Sequence, residues 1–339
     1  MRRCDFTALL VGAMAMWPLR IYAQQSRKTP RIGVFLPGSP ASSSPRTKAL
    51  LDGLRDLGYV EGKTIAIEWK WGDDRVETFP ERAAELVRSN VDVIVTGGTP
   101  GAKALKAATQ TIPIVMAVVG DPVAAGLVDK LARPGGNVTG FSIVAPELGT
   151  KRLELLKEIM PNLSSIAVLS NPKNPQSKIE MKEMRSAAQT MGLQLYPAET
   201  SSADGLEDAF AAMKKAGAQA LILLTDSIFF TERKRTVDLA SKYQLPGVYF
   251  FPIFVEEGGL MSYGPSDADL FRRAGQGCRR SRLPRTVARY GPDALRHHVG
   301  RLTLFALGLP CALRSGIETV PQEGVTRWTS RKSENSTAI

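Results

Sequence analysis

Val91–Ala104 reads VDVIVTGGTPGAKA. An apolar run, Asp92–Thr96, passes through a glycine turn into the start of a helical pattern. That succession is the unit from which parallel α/β sheets are built. The turn is also where such sheets hold anions, because free N–H groups and the helix dipole meet there. The stretch matches neither GxGxxG nor GxxxxGK[ST]. Thr99 is placed to cap the helix, and Pro100 suits its first position. A threonine cap followed by a proline leaves few consecutive free amides, too few to wrap a phosphate. A small carboxylate, held at Thr99 and at the N–H groups of Gly101 and Ala102, fits better. A well-capped helix that binds nothing is the competing reading.

Working outward, the same alternation recurs. Arg31–Leu36, Thr64–Lys70, Asp92–Thr96 and Pro113–Val119 read as strands, with helices over Arg46–Gly58, Glu77–Asn90 and Gly101–Thr109. Strands this apolar imply a parallel sheet covered on both faces. A second series follows: helix Glu147–Met160, strand Ser165–Leu169, helix Ile179–Met191, strand Gln194–Pro197, helix Leu206–Ala216, strand Ala218–Leu224, helix Thr231–Tyr243 and strand Gly247–Phe250. The fold class is therefore α/β, with two doubly wound, Rossmann-like lobes around a hinged cleft. Lobe 1 is expected over 30–142 and lobe 2 over 143–259. They join near Gly140–Pro146, and a glycine-rich return, Gly258–Pro265, brings part of 260–274 back to lobe 1. Ligands of such sheets bind beyond the carboxyl ends of the strands.

Three further strand ends carry polar groups. Gly120-Asp121-Pro122 places Asp121 where it caps the next helix or faces the cleft. Leu224-Thr225-Asp226-Ser227 places a carboxylate at a strand end of lobe 2, suited to an ammonium group. Ser170-Asn171-Pro172 occupies the corresponding end of an earlier strand. A turn or cap explains each of these alone. Trp69, Trp71, Tyr249 and Phe250 are candidates for stacking on an aromatic ligand or for the core. No GxSxG elbow and no His/Cys cluster at metal-ligand spacing occurs, so no enzyme, metal or cofactor is expected.

The chain has 339 residues, 43% of them hydrophobic, enough for two packed domains. Residues 1–23 read as a secretory signal: Arg2 and Arg3, a short apolar run from Ala8 to Trp17, and a small-residue cleavage site at Ala23. The arginine pair also fits the twin-arginine route. No segment is long and apolar enough to span a bilayer. The expected product is exported, periplasmic and not membrane-spanning. The net charge of +11 suggests nucleic acid, but its distribution argues against that partner. Of 44 basic and 33 acidic residues, 11 and 4 fall in Gly275–Ile339, which leaves 33 against 29 in the body.

Several strings resemble, in order, the periplasmic substrate-binding proteins of ABC transporters, in the tryptophan/tyrosine-binding (TrpX-like) group. They are Leu57-Gly58-Tyr59-Val60-Glu61-Gly62, Asp92-Val93-Ile94-Val95, Ile112-Pro113-Ile114-Val115, Asp121-Pro122-Val123, Leu131–Gly140 (LARPGGNVTG), Lys151–Glu158 (KRLELLKE) and Gly258–Gly264 (GGLMSYG). The resemblance covers about residues 1–274. It implies a type I periplasmic-binding fold whose lobes close on a small solute, an amino acid, and aromatic in known cases. It implies partnership with permease and ATPase subunits, a monomer, and no catalysis. By position, the cleft residues would be Thr99, Gly101, Asp121, Ser142, Asn171 and Asp226. Thr99 and Gly101 would hold an α-carboxylate, Asp226 an α-ammonium, and Ser142 would add a hydroxyl. A ligand-sensing module for a receptor and a nucleotide-dependent Rossmann enzyme are the alternatives.

From Gly275 the composition breaks. The segment 275–339 has 10 Arg against one Lys, both histidines (His297, His298) and two of the three cysteines, Cys278 and Cys311. A shifted reading frame near Ala274, with an atypical and disordered tail, is one expectation. A genuine basic extension is the other.

Overall fold

The computed structural model describes residues 29–143 and 145–278, with three short strands at 287–289, 303–305 and 325–327. The signal segment, His297, His298 and Cys311 lie outside the described residues.

The first sheet contains β1 (Arg31–Leu36), β2 (Ala66–Trp71), β3 (Val93–Thr96), β4 (Ile114–Val119) and β5 (Val138–Ser142). Their order is β2-β1-β3-β4-β5, and every pair is parallel. The second sheet contains β6 (Ser165–Ser170), β7 (Gln194–Glu199), β8 (Ala220–Leu223), β9 (Gly247–Tyr249) and β10 (Met261–Ser262), in the order β7-β6-β8-β9-β10. The two sheets thus share one strand order, each reversing direction between its first and third strands. The tail extends both. β11 (Val287–Arg289) pairs in parallel with β5, whereas β12 (Thr303–Phe305) joins β10 antiparallel and pairs in turn with β13 (Val325–Arg327).

Helices α1 (Ser44–Arg55), α2 (Phe79–Arg88) and α3 (Thr99–Ala108) cover the first sheet. The second sheet has α4 (Ala145–Ile159), α5 (Pro175–Thr190), α6 (Leu206–Lys215), α7 (Ser227–Thr231), α8 (Arg233–Lys242) and α9 (Ile253–Glu256). Each of α1, α2, α3 and α5 has a proline in its first turn, where a missing N–H removes no intrahelical bond. α10 (Asp267–Gly277) returns to lobe 1 and packs along α1. A Cβ on Gly53 would overlap the Arg272 carbonyl, and one on Gly275 would stand 2.6 Å from the Leu50 carbonyl oxygen. Gly275, where the composition changes, is therefore part of this close helix pair.

β1, β3 and β4 are buried almost throughout, as their unbroken apolar runs require. One buried apolar cluster is continuous between the lobes through Phe230, Phe250, Phe251 and Phe271.

The structure departs from the sequence reading in three places. The stretch expected to be the joint, around Gly140, contains β5. Gly140 has φ +132, and a Cβ there would overlap the Met116 backbone, so a glycine that disguises the strand is what lets it pair. Gly258–Pro265, expected as a crossing, contains β10. α8 fills the helix expected over Thr231–Tyr243, but the short helix α7 that precedes it, ending at Thr231, was not expected.

Candidate functional site

The carboxyl ends of β1 and β3 form one wall of a cavity, and those of β6 and β8 form the other. These are the points where each sheet reverses its strand order, the usual place for a ligand in open α/β sheets.

On the lobe 1 wall, Gly98 rather than Thr99 is the N-cap of α3. Its φ of +79 suits glycine, so the chain turns one residue earlier than the sequence suggested, and Thr99 becomes the first helical residue. The Ala102 N–H closes on the Gly98 carbonyl at 3.2 Å. Thr99 is buried yet borders the cavity, and its hydroxyl has no side-chain partner among the described residues. Gly101 lies one step inward: its Cα faces Phe35 and Thr96, and only its N–H belongs to the helix end.

On the lobe 2 wall, Asp226 is the N-cap of α7 and is 6% exposed. Its Oδ1 accepts from the Ile228 N–H at 2.9 Å. Its Oδ2 accepts from Asn174 Nδ2 at 2.9 Å and from Asn171 Nδ2 at 3.2 Å. Three donors use most, not all, of a carboxylate's accepting capacity. Burial pushes the Asp226 carboxyl up to about 6; the Ile228 N–H and the two asparagines hold it down, and Asp74 adds to the rise. Asp74 comes from lobe 1 in a left-handed conformation, φ 55, and burial raises its carboxyl too. Its Oδ2 accepts from the Thr231 hydroxyl of lobe 2 at 2.7 Å. Asp226 borders this cavity and Asp74 a neighbouring space between the lobes; burial drives each toward protonation, so a cation beside either would hold it ionised.

The other sequence candidates fall around this cavity rather than on it. Asn171 supports Asp226, and its Oδ1 caps the turn at Lys173. Asp121 Oδ1 accepts from the N–H groups of Val123 and Ala124, both at 2.9 Å, so this carboxylate caps its own turn. The Ser142 hydroxyl donates to the Gly120 carbonyl at 2.7 Å, behind the wall. Trp69 and Trp71 stack on each other on the edge strand β2, 5.6 Å apart. Tyr249 is in the core, whereas Phe250 does border the cavity.

Sequence reasoning missed Arg46, Asn174, Gln176 and Phe251, all of which border the cavity. Arg46 and Gln176 look like ordinary surface residues of amphipathic helices. The one signal for Asn174 was its position just before Pro175, where an N-cap is expected. Gln176 Oε1 accepts from the Asp121 N–H of lobe 1 at 3.0 Å. Lys173 to Glu77, at 2.7 Å, is a further bond between the lobes, beside that of Thr231 with Asp74. The cavity between the walls is about 40 Å³, room for a few water molecules. A larger space of about 380 Å³, bordered by Ser39, Asp74, Asn171 and Thr231, also opens between the lobes.

Behind the lobe 2 wall, Glu180 and Arg152 are fully buried. Burial pushes the Glu180 carboxyl up to about 7 against the attraction of Arg152, and lowers the Arg152 guanidinium to about 10. Both move toward the neutral form, so desolvation outweighs the pairing.

Two α/β lobes of one strand order, closed on a polar cavity at their switch points, define a bilobal solute-binding protein. The sequence model of the ABC transporter substrate binding protein family matches residues 31–280, and the chain belongs to that family. A tyrosine-binding protein of Clostridioides difficile is 28% identical over 251 residues, 74% of this chain and 72% of the relative. The structure of an ABC domain from Streptococcus pneumonia in complex with L-Trp is similar with a TM-score of 0.71 and 26% identity, covering 78% of this chain and 90% of that one. A conserved domain protein from Vibrio cholerae gives a TM-score of 0.71 and 29% identity, covering 77% and 88%. The fold is the type I periplasmic-binding fold.

Proposed function

We propose that the chain binds a free amino acid, aromatic in side chain, for import. The observation that carries this reading is the opposed polarity of the two walls. Lobe 1 presents Thr99 and the N-terminus of α3, a site for a carboxylate. Lobe 2 presents Asp226, a buried carboxylate whose proton affinity is raised and which an ammonium group would hold ionised. An amino acid zwitterion spans the two, and the relatives that bind L-Trp and tyrosine support the choice. The present cavity of about 40 Å³ is too small for an aromatic amino acid, so the ligand-bound form holds the walls further apart than they stand here. The ligand, touching both walls, stabilises that bound arrangement against fuller opening. The closed monomer then meets permease subunits driven by an ATPase, in the periplasm, after removal of residues 1–23. The protein supplies recognition and no chemistry. Isothermal titration with the free amino acids tests this: L-tryptophan or L-tyrosine should bind with a Kd on the order of micromolar or tighter, and heat from neither would refute it.

A further inference from the structure

Arg46, in the first turn of α1, is 7% exposed and borders the cavity. Its Nε donates to Asp267 Oδ2 at 3.1 Å. Its Cζ lies 3.4 Å from the ring centroid of Phe230, with Phe271 at 5.5 Å and Phe251 at 5.9 Å. These contacts fix the guanidinium plane and engage one donor of five. The four Nη–H groups have no protein partner among the described residues. The other charges acting on it are Asp74, which favours the cation, and Arg233, which opposes it. Unlike the Nη atoms of Arg152, those of Arg46 keep access to solvent where the side chain borders the cavity, so a ligand oxygen can reach them. Here the plane is held by aromatic rings, the Nε edge is anchored, and a polar cavity adjoins the side chain. That arrangement suits bidentate recognition of a carboxylate.

We propose that Arg46 holds the carboxylate of the bound ligand through its two Nη groups, beside the neutral donors of Thr99, with Phe230 and Asp267 as the residues that position it. The proposal deepens the amino-acid reading by naming the charged partner of the carboxylate. It requires that the ligand be a carboxylate, and does not require the ammonium.

The full chain is titrated with L-tryptophan, with indole-3-propionate (no ammonium) and with tryptamine (no carboxylate). The wild type is expected to bind L-tryptophan tightly and tryptamine measurably but far more weakly. Arg46→Met keeps an apolar stem on Phe230 and should weaken L-tryptophan on the order of 100-fold while leaving tryptamine unchanged, so that discrimination collapses. Arg46→Lys, which keeps the charge without the fork, should fall between the two and serves if Arg46→Met does not fold. Undiminished binding of L-tryptophan by either variant overturns the proposal. So does a proportional loss of both ligands, which would mark Arg46 as a tether between α1 and α10 only, and so does a wild type that binds neither carboxylate. A wild type that binds indole-3-propionate but not L-tryptophan, and loses it in Arg46→Met, supports the Arg46 assignment and ends the amino-acid reading.

Discussion

Gln176 of lobe 2 accepts a hydrogen bond from the backbone N–H of Asp121 in lobe 1, at 3.0 Å, across the mouth of the cavity. The neighbouring Gly120 makes this approach possible, because a Cβ there would overlap the Gln176 amide. Gln176 is 2% exposed in this arrangement, so its side chain has little room to step aside.

Gly120→Ala is therefore expected to oppose closure while leaving each lobe intact. Ligand affinity should fall on the order of 10-fold, since ligand binding must then supply the lost closing energy. Gly120→Ala combined with Gln176→Ala should recover part of it. Titration of both variants checks this; equal affinities for Gly120→Ala and wild type would show that the contact does not govern closure.

Thr99→Ala separates a cap from a ligand contact. A threonine cap contributes about 1 kcal/mol of stability, but Gly98 occupies the cap position and the Thr99 hydroxyl makes no side-chain bond among the described residues. Stability in urea should stay within about 0.5 kcal/mol of wild type, while affinity for L-tryptophan drops roughly 5- to 10-fold. The reverse pattern would make Thr99 structural.

Asp121→Ala should do the opposite. Its carboxylate holds the N–H groups of Val123 and Ala124 and borders no part of the cavity. A loss of about 1 kcal/mol in stability is expected, with ligand affinity little altered. A selective loss of binding would restore Asp121 to the ligand's contacts.

The pH dependence of stability reads the buried acids. Glu180, raised from 4.5 to about 7 in the folded chain, binds its proton more tightly there than in the unfolded chain. Its contribution is fully present below about pH 4.5 and is lost as pH rises through about 7. Asp226 acts with the same sign through about 6. Relative to Glu180→Gln, the wild type should lose on the order of 2–3 kcal/mol between pH 5 and pH 8. Urea unfolding at both pH values measures it, and parallel behaviour of the two proteins would contradict the burial account.

Most of the fold was legible, because parallel strands buried on both faces leave unbroken apolar runs. β1, β4 and β6 begin within a residue of where their apolar runs suggest. β5 was not legible: Thr139 and Gly140 dilute its pattern, and the glycine is needed for close pairing with β4. For the site, strand ends pointed to Thr99 and Asp226, which lie on opposite walls. The same logic gave Asp121 and Ser142, which satisfy backbone groups nearby, because a strand-end polar residue serves turns as readily as ligands. Arg46 and Gln176 were invisible. They sit in helices where charged and polar residues normally face water; the approach of the other lobe covers both, and the returning helix α10 covers Arg46 as well.

The central claim is that the two walls read the two charges of an amino acid. Calorimetric titration of wild type and Asp226→Asn with L-tryptophan and L-tyrosine at pH 7.5 tests it most directly. The asparagine keeps the shape and, through its Oδ1, the cap on α7; it removes the charge and gives up the bonds accepted from Asn171 and Asn174, a loss that indole-3-propionate, which lacks the ammonium, reports separately. The account predicts binding by wild type and a loss on the order of 100-fold in the variant, with indole-3-propionate less affected. Undiminished binding of the amino acid by Asp226→Asn would contradict it.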